Sequence, residues 1–263
     1  MRAANIDQDA ALNTVSCLVY GDSGVGKTTS LRTLPQASTV VAVSERSAIP
    51  LRGTRFAGLL QLGDWEDVEL LYTAFANPQS LIATELEGQI EAIENAKCLA
   101  IDSLSELSDM CIRHIVRVDR PEMCKERSKN RSTRPQNTYE DQMGLEDWGL
   151  YRTRMLNMIS AFCHLPIHIV VTCLATWLKD KAGNDTFRTP NLGGKSSREC
   201  AAYFDCVLHM EGRTTDGKPE RVWRTATDGM IVAKDASGLL DPFEETDWSK
   251  LFGKLLNNGK AQG

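Results

Sequence analysis

A chain of 263 residues, 42% apolar and 25% charged, is long enough to bury a substantial core and ordinary enough in composition for a soluble globular protein. No apolar run reaches the length of a bilayer span, and the polar, acid-bearing start MRAANIDQDA fits neither a signal nor a transit peptide. The expected compartment is therefore the cytoplasm, with no membrane partner. A formal net charge of -5 excludes a coat protein that holds nucleic acid through overall basicity, so any such contact has to be local.

Residues 15–20 are apolar and read as a short buried strand. A helix is expected over 27–34, stopped by Pro35. TVVAVS (39–44) is a second β-branched run, and FAGLLQL (56–62) a candidate third strand. Asp64 caps a helix whose apolar side is Val68, Leu71 and Phe75, and another helix is expected over about 80–95. KCLAID (97–102) is a strand that ends in an acid. Leu104, Leu107, Cys111, Ile112, Ile115 and Val118 then recur at helical spacing.

Between 120 and 144 the pattern dissolves into polar residues with two prolines, which predicts a long loop. A helix over 150–163 and a strand IHIVVTC (167–173) follow, then a second irregular stretch over 179–197. CVLHME, RVWRTA and MIVAK read as three short antiparallel strands, and Thr246-Asp247 starts a last helix. Alternation of strand and helix predicts an α/β fold with a mostly parallel central sheet. The expected division is an arm over 1–14, one domain over 15–257, and a tail over 258–263. The eight cysteines form no C-x-x-C pair, which suits buried thiols in a reducing compartment rather than zinc-finger spacing.

Gly21-Asp22-Ser23-Gly24-Val25-Gly26-Lys27-Thr28 matches G-x-x-x-x-G-K-[ST] at every fixed position, between a strand and a helix. Glycines let consecutive backbone N–H groups turn toward phosphates. Lys27 is expected on the β and γ phosphates, the Thr28 hydroxyl on Mg²⁺, and Thr29 completes the cradle. The cofactors expected are ATP and Mg²⁺. Asp102, at the carboxyl end of its strand, is the expected second Mg²⁺ anchor through a water, a role compatible with capping the next helix. Glu45 follows the strand 39–44 at the same edge. It could orient the attacking water, or pair with Arg46 as a solvated loop acid; both readings stay open.

The order of these parts resembles a RecA-like core. More closely, YGDSGVGKTTSLRTLP, CLAIDSLSEL, EDWGLYRTRMLNMI with HIVVTCLA, TPNLGGKSSRECAAYFDCVLHM and TATDGMIVAKDASGLLD resemble phage-encoded, AAA-type RecA-like ATPases of the single-strand annealing class. The resemblance spans about residues 17–241. It implies a RecA-like P-loop fold, ATP hydrolysis, single-stranded DNA as partner, assembly into a homo-oligomeric ring or filament, and a single-strand binding protein as a further partner. It places the catalytic glutamate at Glu45, although VAVSER lacks the Asp often found before that residue. It places the γ-phosphate sensor at Thr172 or Cys173, where a small polar group replaces a long amide. Lys234, with Lys195 and Arg198 as rivals, matches the cation that one subunit offers to its neighbour's nucleotide; an ordinary surface cation is the alternative for each.

Two segments have the charge for DNA. Over 113–134, eight cations, including Arg127, Lys129, Arg131 and Arg134, stand against three acids. Over 179–198, Lys179, Lys181 and Arg188 accompany Phe187, a candidate stacking ring. A solvated charge run, neutralised by the acids that follow at 140–147, is the alternative for the first. No base-reading motif is present, so binding is expected to ignore sequence. The other function class is a P-loop ATPase of the motor or loader type, whose nucleotide state gates a protein partner.

Overall fold

The computed structural model describes residues 13–44, 48–81, 86–121, 143–215 and 217–257. Its centre is a strand whose six residues are all buried, β1 (Ser16–Gly21). β2 (Thr39–Val43) and β4 (Cys98–Asp102) are likewise buried throughout, whereas β3 (Gly58–Gln61) alternates buried and exposed. Central strands covered on both faces need continuous apolar runs, and an edge strand does not. The order β10-β8-β7-β1-β5-β4-β2-β3 accounts for that difference, with β3 at one edge. Here β5 is His168–Lys179, β7 Cys206–Thr215, β8 Lys218–Arg224 and β10 Phe243–Glu245.

The strands from β3 to β7 through β2, β4, β5 and β1 are parallel, while β8 and β10 add antiparallel pairs at the other edge. This is the mostly parallel sheet with short antiparallel strands toward the C-terminus expected of a RecA-like P-loop core. One face carries Leu18, Val40, Leu99 and Ile169 against three helices: α2 (Trp65–Ala76), α4 (Leu104–His114) and α5 (Leu145–Cys163). The other carries Val19, Val41, Ala100 and Val170, covered by Leu31 and Leu34 and by Trp248, Leu251 and Phe252 of the C-terminal helix. Asp64 accepts from the Asp67 N–H at 3.0 Å, capping α2.

Several elements differ from the sequence expectation. The helix after β1 is one α-turn, α1 (Lys27–Ser30), continuing as a 3-10 turn to Thr33. The helix expected over 80–95 is a 3-10 turn at Pro78–Leu81, another at Glu87–Gln89 and a short α3 (Ile90–Glu94). α5 begins five residues early, where Asp147 accepts from the Gly144 N–H at 2.7 Å.

The largest difference lies after Cys173. β5 runs on to Lys179 and pairs antiparallel with β6 (Asp185–Pro190), so much of the stretch read as irregular is a hairpin. The Asp180 carboxylate closes it by accepting from the N–H groups of Ala182 and Asn184 at 2.8 and 2.9 Å. Only the end of MIVAK is extended, as β9 (Lys234–Asp235) on β7. A short helix, α6 (Ser196–Glu199), precedes β7, and α7 (Trp248–Asn257) ends the described chain. Among the described residues, no helix is long and apolar enough to cross a membrane.

Candidate functional site

The phosphate loop leaves β1 at Gly21, where an added Cβ would lie 2.6 Å from the Met210 carbonyl oxygen on β7. Glycine is required there because the two parallel strands meet too closely for a side chain. Gly24 and Gly26 take φ values of 76° and 112°, which side-chain-bearing residues rarely adopt. These turns bring the loop back over the end of β1. Lys27 is 8% exposed, and its ammonium donates to the carbonyls of Gly21 at 3.0 Å and Asp22 at 2.8 Å. The lysine is thus held within its own loop rather than extended into solvent.

Asp102 comes to the loop from β4, two strands away. β5 lies between, and its pairing with β4 carries Thr172 alongside Asp102. The Thr28 hydroxyl donates to Asp102 Oδ2 at 2.8 Å, and the Thr172 hydroxyl donates to Asp102 Oδ1. Both carboxylate oxygens are therefore satisfied although Asp102 is only 5% exposed. Ser44, at the end of β2, fixes the same corner: its N–H donates to the Asp102 carbonyl at 2.8 Å, and its Oγ accepts from the Ser103 N–H at 2.9 Å. A cleft of about 330 Å³ opens here between the phosphate loop and Asp102, Ser103, Pro50 and Leu174. Backbone N–H groups and an ammonium suit a polyphosphate, and a hydroxyl beside a carboxylate suits a hard cation such as Mg²⁺.

The pleat separates the two sensor candidates. Thr172 faces Asp102. Cys173, on the opposite face, packs in the core with its sulfur 3.2 Å from the Ser105 hydroxyl. Burial pushes the Cys173 thiol up to about 11, so it stays protonated and unreactive at neutral pH. Glu45 lies outside the described residues, as do Arg127, Lys129, Arg131 and Arg134.

The remaining cations are distributed unevenly. Lys179 and Lys181 are exposed at the tip of the β5–β6 hairpin, with Lys179 3.9 Å from Asp185. Phe187 is half-buried and carries the Arg198 guanidinium 4.6 Å from its ring centroid, so it is not a bare stacking platform. Arg188 points the other way along the strand and pairs with Asp22 of the phosphate loop. Lys195 is exposed. Lys234 donates to the Phe204 carbonyl at 2.6 Å and the Ala202 carbonyl at 3.4 Å, which ties it to its own chain.

Three features carry no local signal in the sequence. Arg221 of β8 reaches the loop's last glycine, where a Cβ on Gly26 would meet its Nη1 at 2.9 Å. Trp248 braces the loop's helix from behind: its indole N–H donates to Ser30 Oγ at 3.2 Å and its backbone N–H to Thr33 Oγ1 at 2.8 Å. The third is the Arg188–Asp22 pair, whose partners stand 166 residues apart.

A family model described as an AAA domain matches residues 13–237. Among solved structures, the chain is similar to the KaiC-like protein PH0186 from the hyperthermophilic archaeon Pyrococcus horikoshii OT3. The two are 16% identical over 84% of this chain and 82% of that one, with a TM-score of 0.36. No curated protein matches.

Proposed function

The chain belongs to the AAA domain family, and from that premise we propose that it binds and hydrolyses ATP and couples turnover to single-stranded DNA during recombination or annealing. The observation that carries the nucleotide half is the convergence of Lys27, Thr28, Asp102 and Thr172 at the carboxyl edge of three neighbouring strands. In an open α/β sheet that edge is where ligands bind. Lys27 leaves its loop carbonyls to meet the β and γ phosphates. Thr28 and Asp102 supply the oxygen donors for Mg²⁺, which screens phosphate charge when bound. Thr172 keeps the Asp102 carboxylate turned toward Thr28 and stands beside the strand end where a γ phosphate would be sensed. Glu45, one residue beyond Ser44, is the candidate to orient the attacking water.

The DNA half is supported by the eight cations against three acids over 113–134 in an otherwise acidic chain, and by the exposed lysines at the hairpin tip. Assembly into a ring or filament belongs to the same reading, with Lys195 and Arg198 as exposed cations available to a neighbouring subunit. One observation favours the second reading, a loader whose ATP state gates a protein partner. Several of the described cations are already paired within the chain: Arg113 with Glu106, Arg120 with Asp147, and Arg154 with Asp119.

Steady-state ATP turnover with and without single-stranded DNA separates the two. The DNA reading predicts stimulation by single strands, with Glu45→Gln binding ATP yet turning over roughly a hundredfold more slowly. Turnover indifferent to DNA moves the loader reading ahead, and a Glu45→Gln chain with parental turnover removes Glu45 from the mechanism.

A further inference from the structure

Asp22 occupies an unconstrained position of the phosphate-loop motif. It places a carboxylate one position before Ser23, which lines the cleft, in a loop suited to a polyanion. Water screens much of the charge on so exposed a side chain, but an unpaired Asp22 carboxylate still disfavours a polyphosphate bound beside the loop. Arg188 meets that carboxylate from β6.

The arginine is unusually well held for a surface cation. Its side chain is 12% exposed, against 72% for Asp22. The guanidinium lies 5.1 Å from the centroid of the Trp177 ring on β5. Its backbone is fixed by two hydrogen bonds: the N–H donates to the Met230 carbonyl at 2.6 Å, and the carbonyl accepts from the Val232 N–H at 3.1 Å. The Tyr20 hydroxyl donates to the neighbouring Val232 carbonyl at 2.6 Å and lies 3.0 Å from the Arg188 carbonyl. Burial pushes the Tyr20 hydroxyl well above its ordinary range, so it remains a donor at every relevant pH. Little side-chain freedom is left to lose when the ion pair forms.

Asp22 also carries a second interaction through its main chain, because its carbonyl accepts from the Lys27 ammonium at 2.8 Å. The residue that Arg188 grips is thus one of the two whose carbonyls hold the phosphate lysine.

We propose that Arg188 is a positioning residue for nucleotide binding: it cancels the Asp22 charge beside the phosphate loop and thereby ties nucleotide affinity to the β5–β6 hairpin. The proposal rests on the nucleotide reading above and goes beyond it. It takes Arg188 out of the set of cations free for DNA. A hairpin displaced by any partner would pull Arg188 from Asp22 and lower affinity for the triphosphate, which gives the hairpin a physical route to the site.

The test is a charge-removal cycle read by calorimetric titration of Mg·ATP into the full chain. Arg188→Ala is expected to weaken binding roughly tenfold, the scale of coupling between residues in direct contact. Asp22→Asn alone leaves a cation beside the triphosphate and is expected to bind severalfold more tightly. The double variant, with both charges gone, is expected to return to within about twofold of the parent. A double variant as weak as Arg188→Ala would overturn the proposal, since the arginine would then only brace the hairpin. If Arg188→Ala fails to fold, Asp22→Asn decides alone: tighter binding supports the proposal, and equal or weaker binding overturns it. A parent that binds no Mg·ATP removes the nucleotide reading itself, whereas a parent that binds, with all variants equal to it, removes only the role of Arg188.

Discussion

In the phosphate loop, consecutive residues supply both the shape and the chemistry: Gly24 and Gly26 make the turns, Lys27 folds back onto Gly21 and Asp22, and Thr28 reaches Asp102. In the β5–β6 hairpin the chemistry is dispersed. Lys179 answers to its strand-pairing partner Asp185, Arg188 to Asp22 of the phosphate loop, and Phe187 to Arg198 of α6, so the partners come from three different elements. The Arg188–Asp22 ion pair joins the two regions. The loop is braced from behind by the core, while the hairpin tip projects with exposed lysines. A loop of this kind tolerates little change in its support. A hairpin of this kind tolerates change at its tip and depends on a few pairings at its base.

The largest effect expected from this contrast is on stability. Trp248 is fully buried, its ring 4.4 Å from that of Trp223 between centroids, and its indole bonded to Ser30 beneath the loop. Trp248→Ala is expected to cost about 3–5 kcal/mol, as large-to-small changes in packed cores do. Exposed Lys181 at the hairpin tip serves as the control, with Lys181→Ala within about 0.5 kcal/mol of the parent. Denaturant unfolding of both variants measures the contrast, and equal midpoints would break it.

A smaller effect is expected on DNA. Replacing Arg127, Lys129, Arg131 and Arg134 with alanine should weaken single-stranded DNA binding by about tenfold or more at moderate salt. Every phosphate that these side chains no longer neutralise should flatten the log–log salt slope by about 0.7. ATP binding should be unchanged, because none of the four belongs to the phosphate loop. Parental DNA affinity and slope in the quadruple variant would leave the hairpin lysines and the partner-binding reading in possession of this surface.

Most of the sheet is legible in the sequence because its strands are covered on both faces. VVAV and CLAI are continuous apolar runs, and their expected ends fall within a residue of the observed strands. The phosphate loop is legible because the motif is local and needs glycine where φ is positive. The hairpin is not. Its second half, Asp185–Pro190, is mostly polar and does not alternate, since burial rises along its length from exposed Asp185 to buried Thr189 and Pro190. A polar strand of that kind is held by pairing with β5, which no window of local sequence reports. Arg188 reads as a free cation for the same reason. Its acid lies 166 residues away, brought near only by the order of the sheet. Likewise Lys234 has the sequence surroundings of a projecting cation, yet β9 pairs with β7 and delivers its ammonium to the carbonyls of Ala202 and Phe204.

On the proposed function, residues 21–29 with Asp102 hold a nucleoside triphosphate, and calorimetric titration of Mg·ATP into the parent and into Lys27→Ala tests that reading most directly. The Lys27 ammonium meets carbonyls of its own loop beside the cleft and lies outside the apolar core, so its removal should spare the fold, as circular dichroism and the unfolding midpoint would verify. The expected result is saturable binding to the parent and a loss of roughly a hundredfold or more in the folded variant, the scale of removing a charge that meets phosphate directly. Saturable binding of equal affinity to both chains, or none to a folded parent, would contradict it.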